Sequence, residues 1–389
     1  MKLVQLSKLY WPDNGGGIAR VVETVSYCFK NWSKNRMEQG MIKSHYKQEI
    51  IVCRPKSKMP MIHDIYKGIR ITRCAMLADI ASTPISPSFL LETKKRTKDA
   101  DLVICNFPYP MIDIAMCLGL IKGKKLYWWH CDFAKDKHML LSKIYEPFIK
   151  CSLNIADKIV VCAEGNIKGS DFLKPYQDKC IVIPHAVDKK WEIEGKKHYL
   201  STKDKKSKSE KNILFIGRFV WYKGIDLLLK AYKKIQNDNC SLTLIGNGPL
   251  LEDMKILSKT LDLHNILFTG SVAEEEKAEY IKKSDFLVLP SISKAESFAI
   301  VQIEAMAYGK PVINTRINSG VPEVSIDGIS GLTIEPNSID QMAQAMQRLC
   351  EDDVLRAKLS MGAMKLVETK YTMETMEKRY FELFDEMLL

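Results

Sequence analysis

The sequence predicts an α/β protein in which two doubly wound parallel sheets follow one another along the chain and face each other across a cleft. Two observations predict this fold. Short apolar runs alternate with polar, helix-like segments, and the alternation stops at a lysine-rich stretch and then starts again. The strands predicted before that stretch are 2–7, 49–53, 69–74, 101–105, 125–129, 158–162 and 180–184. Those predicted after it are 212–217, 241–246, 266–270, 285–290, 311–315 and 331–334.

The length of the chain requires more than one hydrophobic core, because 389 residues exceed an ordinary single domain. We predict a first domain at 1–188, a lysine-rich linker at 189–211, a second domain at 212–370 and a final amphipathic helix at 371–389. Within the linker, residues 196–211 are rich in Lys and Ser and lack apolar periodicity. They are therefore expected to form a solvated loop.

Composition and charge limit the classes of partner that the protein is expected to bind. The chain has a formal net charge of +11, and it contains no helix-turn-helix or zinc-finger pattern, which disfavours nucleic acid and favours an anionic membrane surface. No apolar run approaches the roughly 20 residues that span a bilayer, and the chain starts in a strand pattern, not in a signal peptide. We expect a cytoplasmic protein, peripheral at the inner face of the membrane. A hypothetical membrane patch, for which burial in a core is the alternative, comprises Trp11, Ile18, Phe29, Trp32, Lys30, Lys34 and Arg36.

Two features of the first domain follow strands. The first strand leads into Gly15, Gly16 and Gly17 and then into a helix pattern, so their backbone N–H groups can approach an anion at the helix N-terminus. The alternative is a merely flexible loop. His130 follows the strand predicted at 125–129, at the edge where open α/β sheets bind ligands. A structural or capping histidine is the alternative there.

The second domain opens with the clearest candidate for an anion site. Gly217 and Arg218 end its first strand, and Lys223 follows five residues after the arginine, just before a helix pattern. Arg218 can bind phosphate oxygens with its forked guanidinium and Lys223 adds a second positive charge, which predicts a diphosphate site. Exposed cations in an ordinary loop are the alternative. Asn247 and Gly248 give another tight turn after the next strand, which is a weak signal alone.

Two glutamates, Glu296 and Glu304, lie between the strands predicted at 285–290 and 311–315, in a segment that should form a crossover helix. Eight helical residues bring the second carboxylate to within about 80° of the first, so both can face one cleft. Charges on a helix usually belong to a solvated face. Here the neighbours are too apolar for a surface helix, and a ligand rich in hydroxyls would supply partners for the carboxylates.

The combined motifs resemble the family 4 retaining glycosyltransferases of the GT-B fold, which has two Rossmann-like domains. The resemblance spans the whole chain and rests most on Gly217-Arg218 with Lys223-Gly224 and on the Glu-x7-Glu pair, followed by 309–312, 322–324, Gly328 and 331–332. It implies an acceptor-side first domain and a nucleotide-sugar-binding second domain. The final helix would cross back to the first domain.

Site roles also follow from this resemblance. It implies that Arg218 and Lys223 bind the diphosphate of the donor, that Glu296 contacts the donor sugar and that Glu304 contacts the ribose. Gly16 and Gly17 would lie beside the donor phosphates and the acceptor, and His130 near the transferred sugar. We assign the remaining donor-binding positions to Gly217, Asn247, Gly248, Ser297, Phe298, Ala299 and Ile300. Ala299 departs from the family pattern, which usually has glycine there.

The expected activity is therefore the metal-independent transfer of a hexose, with retention, from a UDP- or GDP-sugar to a glycan acceptor, without a cofactor. The acceptor is expected to be lipid-linked, as in the assembly of O-antigen, capsule or exopolysaccharide. Two alternatives stay open at this point. One is a sugar-nucleotide epimerase of the same architecture, and the other is a non-catalytic nucleotide-binding protein that docks on membranes.

Overall fold

The computed structural model describes residues 1–13, 16–42, 46–80, 83–132, 139–203, 210–237 and 239–389, without the side chains of 139–142. This described chain divides into two compact units. Unit 1 comprises Met1–Ile183 and Glu377–Leu389, and unit 2 comprises Pro184–Met376. Each unit contains its own parallel sheet and its own core.

The elements of unit 1 alternate as expected for a doubly wound sheet. In chain order they are β1 (Lys2–Leu6), α1 (Gly17–Glu38), β2 (Lys47–Cys53), β3 (Ile62–Tyr66), β4 (Ile69–Cys74), β5 (Ala78–Ile80), β6 (Thr83–Ile85), α2 (Pro87–Arg96), β7 (Leu102–Phe107), α3 (Pro110–Cys117), β8 (Lys124–Trp129), α4 (Met139–Ile155), β9 (Lys158–Val161), α5 (Glu164–Gly169) and β10 (Cys180–Val182).

Within the described residues, the sheet of unit 1 has eight strands in the order β10-β9-β8-β7-β1-β2-β4-β3. Each described neighbouring pair is parallel except β3 and β4, which are antiparallel. Both faces are buried, because Ile51 and Cys53 of β2 belong to one apolar cluster while Ile50 and Val52 belong to another. The predicted strands of this half are therefore confirmed.

Three strands of unit 1 were missed by the sequence analysis. Edge strand β3 is half-exposed along its length, and its Ile65 is 71% exposed, so it lacks the continuous apolar run of a buried strand. The antiparallel strands β5 and β6 have three residues each and form a separate two-stranded sheet. Segments this short carry no readable periodicity.

The last helix of the chain is α14 (Met373–Leu388), and its residues from Glu377 onward belong to unit 1. The ring of Phe384 lies 5.4 Å from that of Phe29 and 5.6 Å from that of Trp32, centroid to centroid. Phe29 and Trp32 are fully buried, and the indole N–H of Trp32 donates to Asp385 at 2.8 Å.

The hypothesis that Phe29 and Trp32 form a membrane patch is therefore wrong, and the alternative of core burial is correct. Trp11 and Ile18, the other apolar members of the hypothetical patch, pack partly buried against the cluster that contains Ile50 and Val52. The partner that covers Phe29 and Trp32 is about 350 residues away in the sequence, so local pattern could not reveal it.

Unit 2 repeats the alternation of strand and helix. Its elements are α6 (Lys189–Thr202), β11 (Lys211–Ile216), α7 (Ile225–Ile235), β12 (Cys240–Ile245), α8 (Leu251–Thr260), β13 (Ile266–Gly270), α9 (Glu274–Lys283), β14 (Phe286–Val288), α10 (Ile300–Ala307), β15 (Val312–Thr315), α11 (Val321–Val324), β16 (Gly331–Ile334), α12 (Ile339–Glu351) and α13 (Asp353–Lys370). The described strands pair in the order β13-β12-β11-β14-β15-β16, all in parallel. The strands predicted for this half are confirmed, as is the crossover helix between β14 and β15.

The linker prediction is wrong over its first part, because residues 189–202 form helix α6 within unit 2. Trp191 and Gly195 are its buried residues. A Cβ at Gly195 would lie only 2.2 Å from the carbonyl oxygen of Ala307, so the glycine lets α6 approach α10 closely. Two buried positions in fourteen residues leave no apolar periodicity to detect. Residues 204–209 of the predicted linker lie outside the described residues.

Candidate active site

The carboxyl edge of the unit 2 sheet carries turns that pack directly on one another. Gly246 follows β12 with φ +137°, and a Cβ there would lie 1.9 Å from the carbonyl oxygen of Gly217, which follows β11. At Gly248 a Cβ would lie 2.5 Å from the carbonyl oxygen of Phe219, whose N–H donates to Asn247 at 2.9 Å. The predicted turn at Asn247 and Gly248 therefore supports the loop that begins at Gly217.

A buried ion pair lies at the same edge. The Lys223 Nζ atom lies 2.5 Å from Oε2 of Glu296, with the two side chains 9% and 11% exposed. The hydroxyl of Ser291 donates to the same carboxylate oxygen at 3.2 Å. A Cβ added at Gly217 would lie 3.3 Å from Nζ of Lys223, so this lysine packs against the first glycine of the loop. The sequence predicted both charged residues but not their pairing.

Burial limits which groups can serve as partners of Lys223 and Glu296. Two charges removed from water need excellent partners, because the desolvation penalty is several kcal/mol per ion. A phosphate oxygen and a sugar hydroxyl are alternative partners of the correct charge and polarity for Lys223 and Glu296 respectively. Either group has the chemistry to replace the present partner of the residue it would contact.

Arg218 differs from Lys223 in its environment. It is exposed on the loop after β11 and forms no ion pair with any residue that the structure describes. Its guanidinium is accordingly available to an anion that approaches this loop from solvent. The structure places Arg218 and Lys223 on one connection, between β11 and α7.

The second glutamate of the predicted pair has a different partner. Both carboxylate oxygens of Glu304, in α10, lie 3.1 Å from Nζ of Lys277, in α9. The same Nζ lies 4.7 Å from the ring centroid of Trp191, in α6. The sequence analysis missed Lys277, because three consecutive glutamates precede it and make α9 resemble a solvated helix. It missed Trp191 because this residue fell in the predicted linker.

The segment between the glutamates corrects one argument of the sequence analysis. Helix α10 begins at Ile300, so Glu296 precedes it by four residues, and the angular spacing of a continuous helix does not relate the two carboxylates. The backbone N–H of Glu296 instead donates to Ser293 at 3.0 Å. The first N–H groups of α10, from Ile300, lack partners within the helix and can bind an anion.

Ala299 precedes α10 in a left-handed conformation, with φ 58° and ψ 79°. Only glycine adopts this region without steric cost, and for other residues the strain is about 1–3 kcal/mol. The conformation explains why glycine is usual at this position in the family 4 glycosyltransferases, which the sequence resembles. The neighbours of Ala299 are anchored: Ser297 accepts the N–H of Gly320 at 2.9 Å, and Phe298 is buried.

His185 packs beside this segment, its ring 4.9 Å from that of Phe298 in an edge-to-face contact. Burial lowers the pKa of His185 to about 4. The native state therefore keeps this histidine neutral down to about pH 4, whereas the unfolded chain protonates it near pH 6.5. Acid should then favour unfolding of unit 2.

We expect the stability of unit 2 to fall by up to about 3 kcal/mol between pH 6.5 and 4 on account of His185. His185→Phe should reduce this loss, as measured by the calorimetric unfolding midpoint at pH 7, 5.5 and 4.5. The control is His264→Phe, at an exposed histidine of the same unit. Equal acid sensitivity of His185→Phe and the unaltered protein would show that His185 is not responsible.

The candidates in the first domain belong to unit 1. His130 is buried, stacks on Trp128 with centroids 4.2 Å apart, and shares a hydrogen bond of 3.0 Å between Nε2 and Oδ1 of Asn106. Gly16 precedes α1 in an extended conformation, and a Cβ at Gly17 would meet open space. The first turn of α1 contains no acidic residue of its own, so no side chain within that turn offsets the positive end of the helix dipole. Gly15 lies outside the described residues.

Two further properties concern metals and membranes. Across the parts of the chain that the structure describes, no group of three or more His, Cys, Asp or Glu side chains converges as a metal site. In the same residues, no helix combines the length and the apolar character that crossing a bilayer requires.

Comparison with known proteins defines the class of the chain. A sucrose-phosphate synthase from Thermosynechococcus elongatus superposes with a TM-score of 0.72 at 19% identity, over 99% of this chain and 98% of that one. At this identity the likeness shows the fold alone. The fold is GT-B, with two Rossmann-like domains, as predicted.

Sequence comparison then identifies the family. The model of the "Glycosyl transferases group 1" family matches residues 199–365. The chain is 35% identical to an uncharacterised glycosyltransferase of Methanocaldococcus jannaschii over 295 residues, 73% of this chain and 76% of the relative. It is 26% identical to the O-antigen chain mannosyltransferase C of Escherichia coli over 391 residues, 100% of this chain and 99% of the relative.

The chain belongs to the group 1 glycosyltransferases. It is a glycosyltransferase that uses a nucleotide-sugar donor and a glycan acceptor, and the epimerase alternative is not favoured.

Proposed function

We propose that the protein transfers a hexose from a UDP- or GDP-sugar to a lipid-linked glycan, with retention of configuration and without a metal ion or a cofactor. The pathway would be the assembly of a surface polysaccharide such as O-antigen, capsule or exopolysaccharide. The observation that carries the proposal is the buried pair of Lys223 and Glu296 beside Gly217 at the carboxyl edge of the unit 2 sheet. The full-length similarity to an O-antigen chain mannosyltransferase supports the pathway.

In the proposed complex, Lys223 and Arg218 bind the diphosphate, and Glu296 turns from Lys223 to the hydroxyls of the donor sugar. Cleavage of the bond between the anomeric carbon and the diphosphate leaves negative charge on the leaving oxygen. Cations that are already in place stabilise this charge as it develops. Lys223 is suited to this role because Glu296 and the packing against Gly217 hold its ammonium in position before the donor arrives.

The other candidates have supporting roles in the proposed complex. The turn at Asn247 and Gly248 holds the phosphate loop, and the N–H groups at the start of α10, beside Ser297, Phe298, Ala299 and Ile300, face the donor. Glu304 binds the ribose. In unit 1, His130 and the turn at Gly16 and Gly17 contact the transferred sugar and its surroundings.

Retention of configuration is proposed to follow from attack on the same face from which the diphosphate departs. Glu296 is assigned to the hydroxyls of the donor sugar, away from the anomeric carbon, which does not suit it for nucleophilic attack there. The departing phosphate is the remaining base near the incoming hydroxyl. Metal independence is proposed because Arg218 and Lys223 supply the positive charge that a bound cation supplies in other enzymes.

A donor screen tests this function. The purified protein is incubated with UDP- and GDP-linked glucose, galactose, mannose and their N-acetyl forms, labelled in the sugar, together with a polyprenyl-diphosphate glycan. We expect transfer from one donor, undiminished by EDTA, and a product whose anomeric configuration by NMR equals that of the donor. Interconversion of the donor sugar without transfer, inversion, or loss of activity in EDTA would each contradict the corresponding part of the proposal.

The proposed location at the cytoplasmic face of the membrane is supported by an apolar stripe on α4. Ile144, Phe148, Cys151 and Ile155 recur at spacings that place them within about 60° of one another on the helix, and Ile144 is 60% exposed. Leu118, at the end of the adjacent α3, is exposed as well. An amphipathic helix with this stripe can lie in the interface of a bilayer.

Charge favours an anionic bilayer as the partner of this face. Lys143 and Lys150 are exposed along one side of the stripe on α4, Lys122 is exposed in the connection that follows α3, and Lys124 is exposed at the start of β8. Lysines within a Debye length of anionic lipid contribute about 1 kcal/mol each to binding. The formal net charge of +11 acts in the same direction.

Vesicle sedimentation tests the surface. The protein should sediment with vesicles that contain phosphatidylglycerol, less so at high salt, and far less with pure phosphatidylcholine. Ile144→Asp with Phe148→Asp should reduce binding at least about tenfold, because two carboxylates replace the inserted apolar groups. Val354→Asp, at an apolar position of unit 2 that is more exposed than Ile144, is the control and should bind normally. Unchanged binding of the α4 variant would exclude this face.

A further inference from the structure

Three helices of unit 2 meet around the ammonium group of Lys277. The Nζ atom lies 3.1 Å from each carboxylate oxygen of Glu304 in α10, and 3.0 Å from Oε2 of Glu274 in its own helix. It also lies 4.7 Å from the ring centroid of Trp191 in α6. Lys277 therefore binds one glutamate of the Glu-x7-Glu pair from a different helix.

The burial of these groups makes the contact specific. Glu304 is 5% exposed, and the side chain of Lys277 is 13% exposed. A carboxylate in such a position requires a charged or hydrogen-bonded partner. Trp191 covers the ammonium with its ring face, where a cation is attracted and water is excluded. Trp191 thus holds the ammonium of Lys277 in place, and Lys277 in turn fixes the orientation of the Glu304 carboxylate.

The geometry suits a pair of adjacent hydroxyl groups. Because Lys277 lies 3.1 Å from both oxygens, it occupies the side of the carboxylate that the two oxygens share and so fixes the plane of the group. A carboxylate oxygen that accepts one hydrogen bond is able to accept a second. The 2′- and 3′-hydroxyls of a ribose are two donors on neighbouring carbon atoms.

We propose that Lys277, held by Trp191, is a positioning residue that orients the Glu304 carboxylate toward the vicinal hydroxyls of a ribose, and so makes the enzyme selective for ribonucleotide over deoxyribonucleotide donors. The inference rests on the proposed function, since it takes the ribose as the ligand of Glu304. It adds two residues, Lys277 and Trp191, and a specificity that follows from their contacts. Lys277 is not proposed to contact the reacting atoms.

Calorimetric titration of UDP and GDP, each with its 2′-deoxy form, tests the inference without any acceptor. The unaltered protein should bind one ribonucleotide at least about tenfold more tightly than the deoxy form, the loss expected for one hydrogen bond to a charged group. Lys277→Met should bind the ribonucleotide more weakly and the deoxy form almost unchanged, so that most of the ratio between the two affinities disappears. Lys277→Arg should retain it, because the guanidinium can bind both oxygens.

The same helix provides a matched control. Lys282 pairs with Glu279 at 2.7 Å and lies 5.9 Å from the ring centroid of Tyr308, so Lys282→Met removes an ion pair and a cation–π contact without touching Glu304. It should leave the ratio unchanged. If Lys277→Met does not fold, Lys277→Gln, which keeps a donor to Glu304, is measured instead and should show a reduced ratio.

The possible failures are distinguishable. If the unaltered protein binds a ribonucleotide and Lys277→Met or Lys277→Gln keeps the full ratio, the role of Lys277 is overturned and the proposed function stands. If the unaltered protein binds both forms equally, the assignment of Glu304 to the ribose fails together with the role of Lys277, while the proposed transfer reaction stands. If it binds neither UDP nor GDP, the proposed function fails, and the inference fails with it.

Discussion

Lys223→Ala is expected to lower kcat by about 100- to 1,000-fold, the effect of removing one preplaced donor from a developing anion. Glu304→Ala should be milder, because hydrogen bonds to hydroxyls contribute about 1.5–3 kcal/mol each and act largely on donor binding. Initial rates over a range of donor concentrations separate kcat from KM for both variants. Near-normal turnover of Lys223→Ala would remove Lys223 from the mechanism.

The ion pair requires an additional control for this prediction. Removal of Lys223 leaves Glu296 buried without its partner, which costs about 3–5 kcal/mol of stability in comparable sites. Lys223→Ala with Glu296→Gln removes that unpaired charge and should recover the unfolding midpoint but not the turnover. Lys230→Ala, at a partly exposed lysine of α7 paired with Asp226, should be normal in both respects. Recovery of turnover in the double variant would mean that Lys223 serves only to neutralise Glu296.

Gly246→Ala is expected to abolish nucleotide binding and to destabilise unit 2 by about 4 kcal/mol or more, in the range of severe single substitutions. The new Cβ would lie 1.9 Å from the carbonyl oxygen of Gly217, and backbone cannot yield as a flexible side chain does. Either the turn after β12 or the loop that bears Arg218 has to move. Calorimetric unfolding and UDP or GDP titration measure the two effects.

Gly270→Ala separates the steric clash from backbone strain. Gly270 ends the neighbouring strand β13 with φ +73°, accepts the N–H of Gly246 at 2.8 Å, and has no atom within 4 Å of a Cβ position. Its substitution should cost only about 1–3 kcal/mol of strain and leave nucleotide binding intact. If both variants behave alike, then the close packing of Gly246 on Gly217 is not what shapes the loop.

The fold and the charged residues that follow its strands could be predicted from the sequence, because the patterns that indicate them lie within short segments. Buried parallel strands such as β11 and β14 contain continuous apolar runs, and glycines mark the turns after β11 and β12. Arg218, Lys223 and Glu296 lie in the connections that follow such runs, so their approximate place could be inferred from the order of elements alone. The resemblance to a family then suggested their roles.

The rest depends on contacts that no local pattern contains. Lys277 and Trp191 come from two other helices, and nothing in either segment points to Glu304. The pairing of Lys223 with Glu296 joins residues 73 positions apart. Phe384 covers Trp32 from the other end of the chain. Ala299 was recognised as a departure from the family pattern, but only its φ of 58° shows the strain that this departure carries.

The position of α14 has a consequence for how the protein is made. Unit 1 takes Phe384 and Tyr380 into its core, next to Phe29, Trp32 and Trp128. The ribosome has to synthesise all of unit 2 before these residues exist, so the domain begun first is completed last, against the usual N-terminal-first order. Until α14 is made, Phe29, Trp32 and Trp128 lack the aromatic residues that cover them in the folded protein. We therefore expect the nascent chain to bind a chaperone that shields apolar segments.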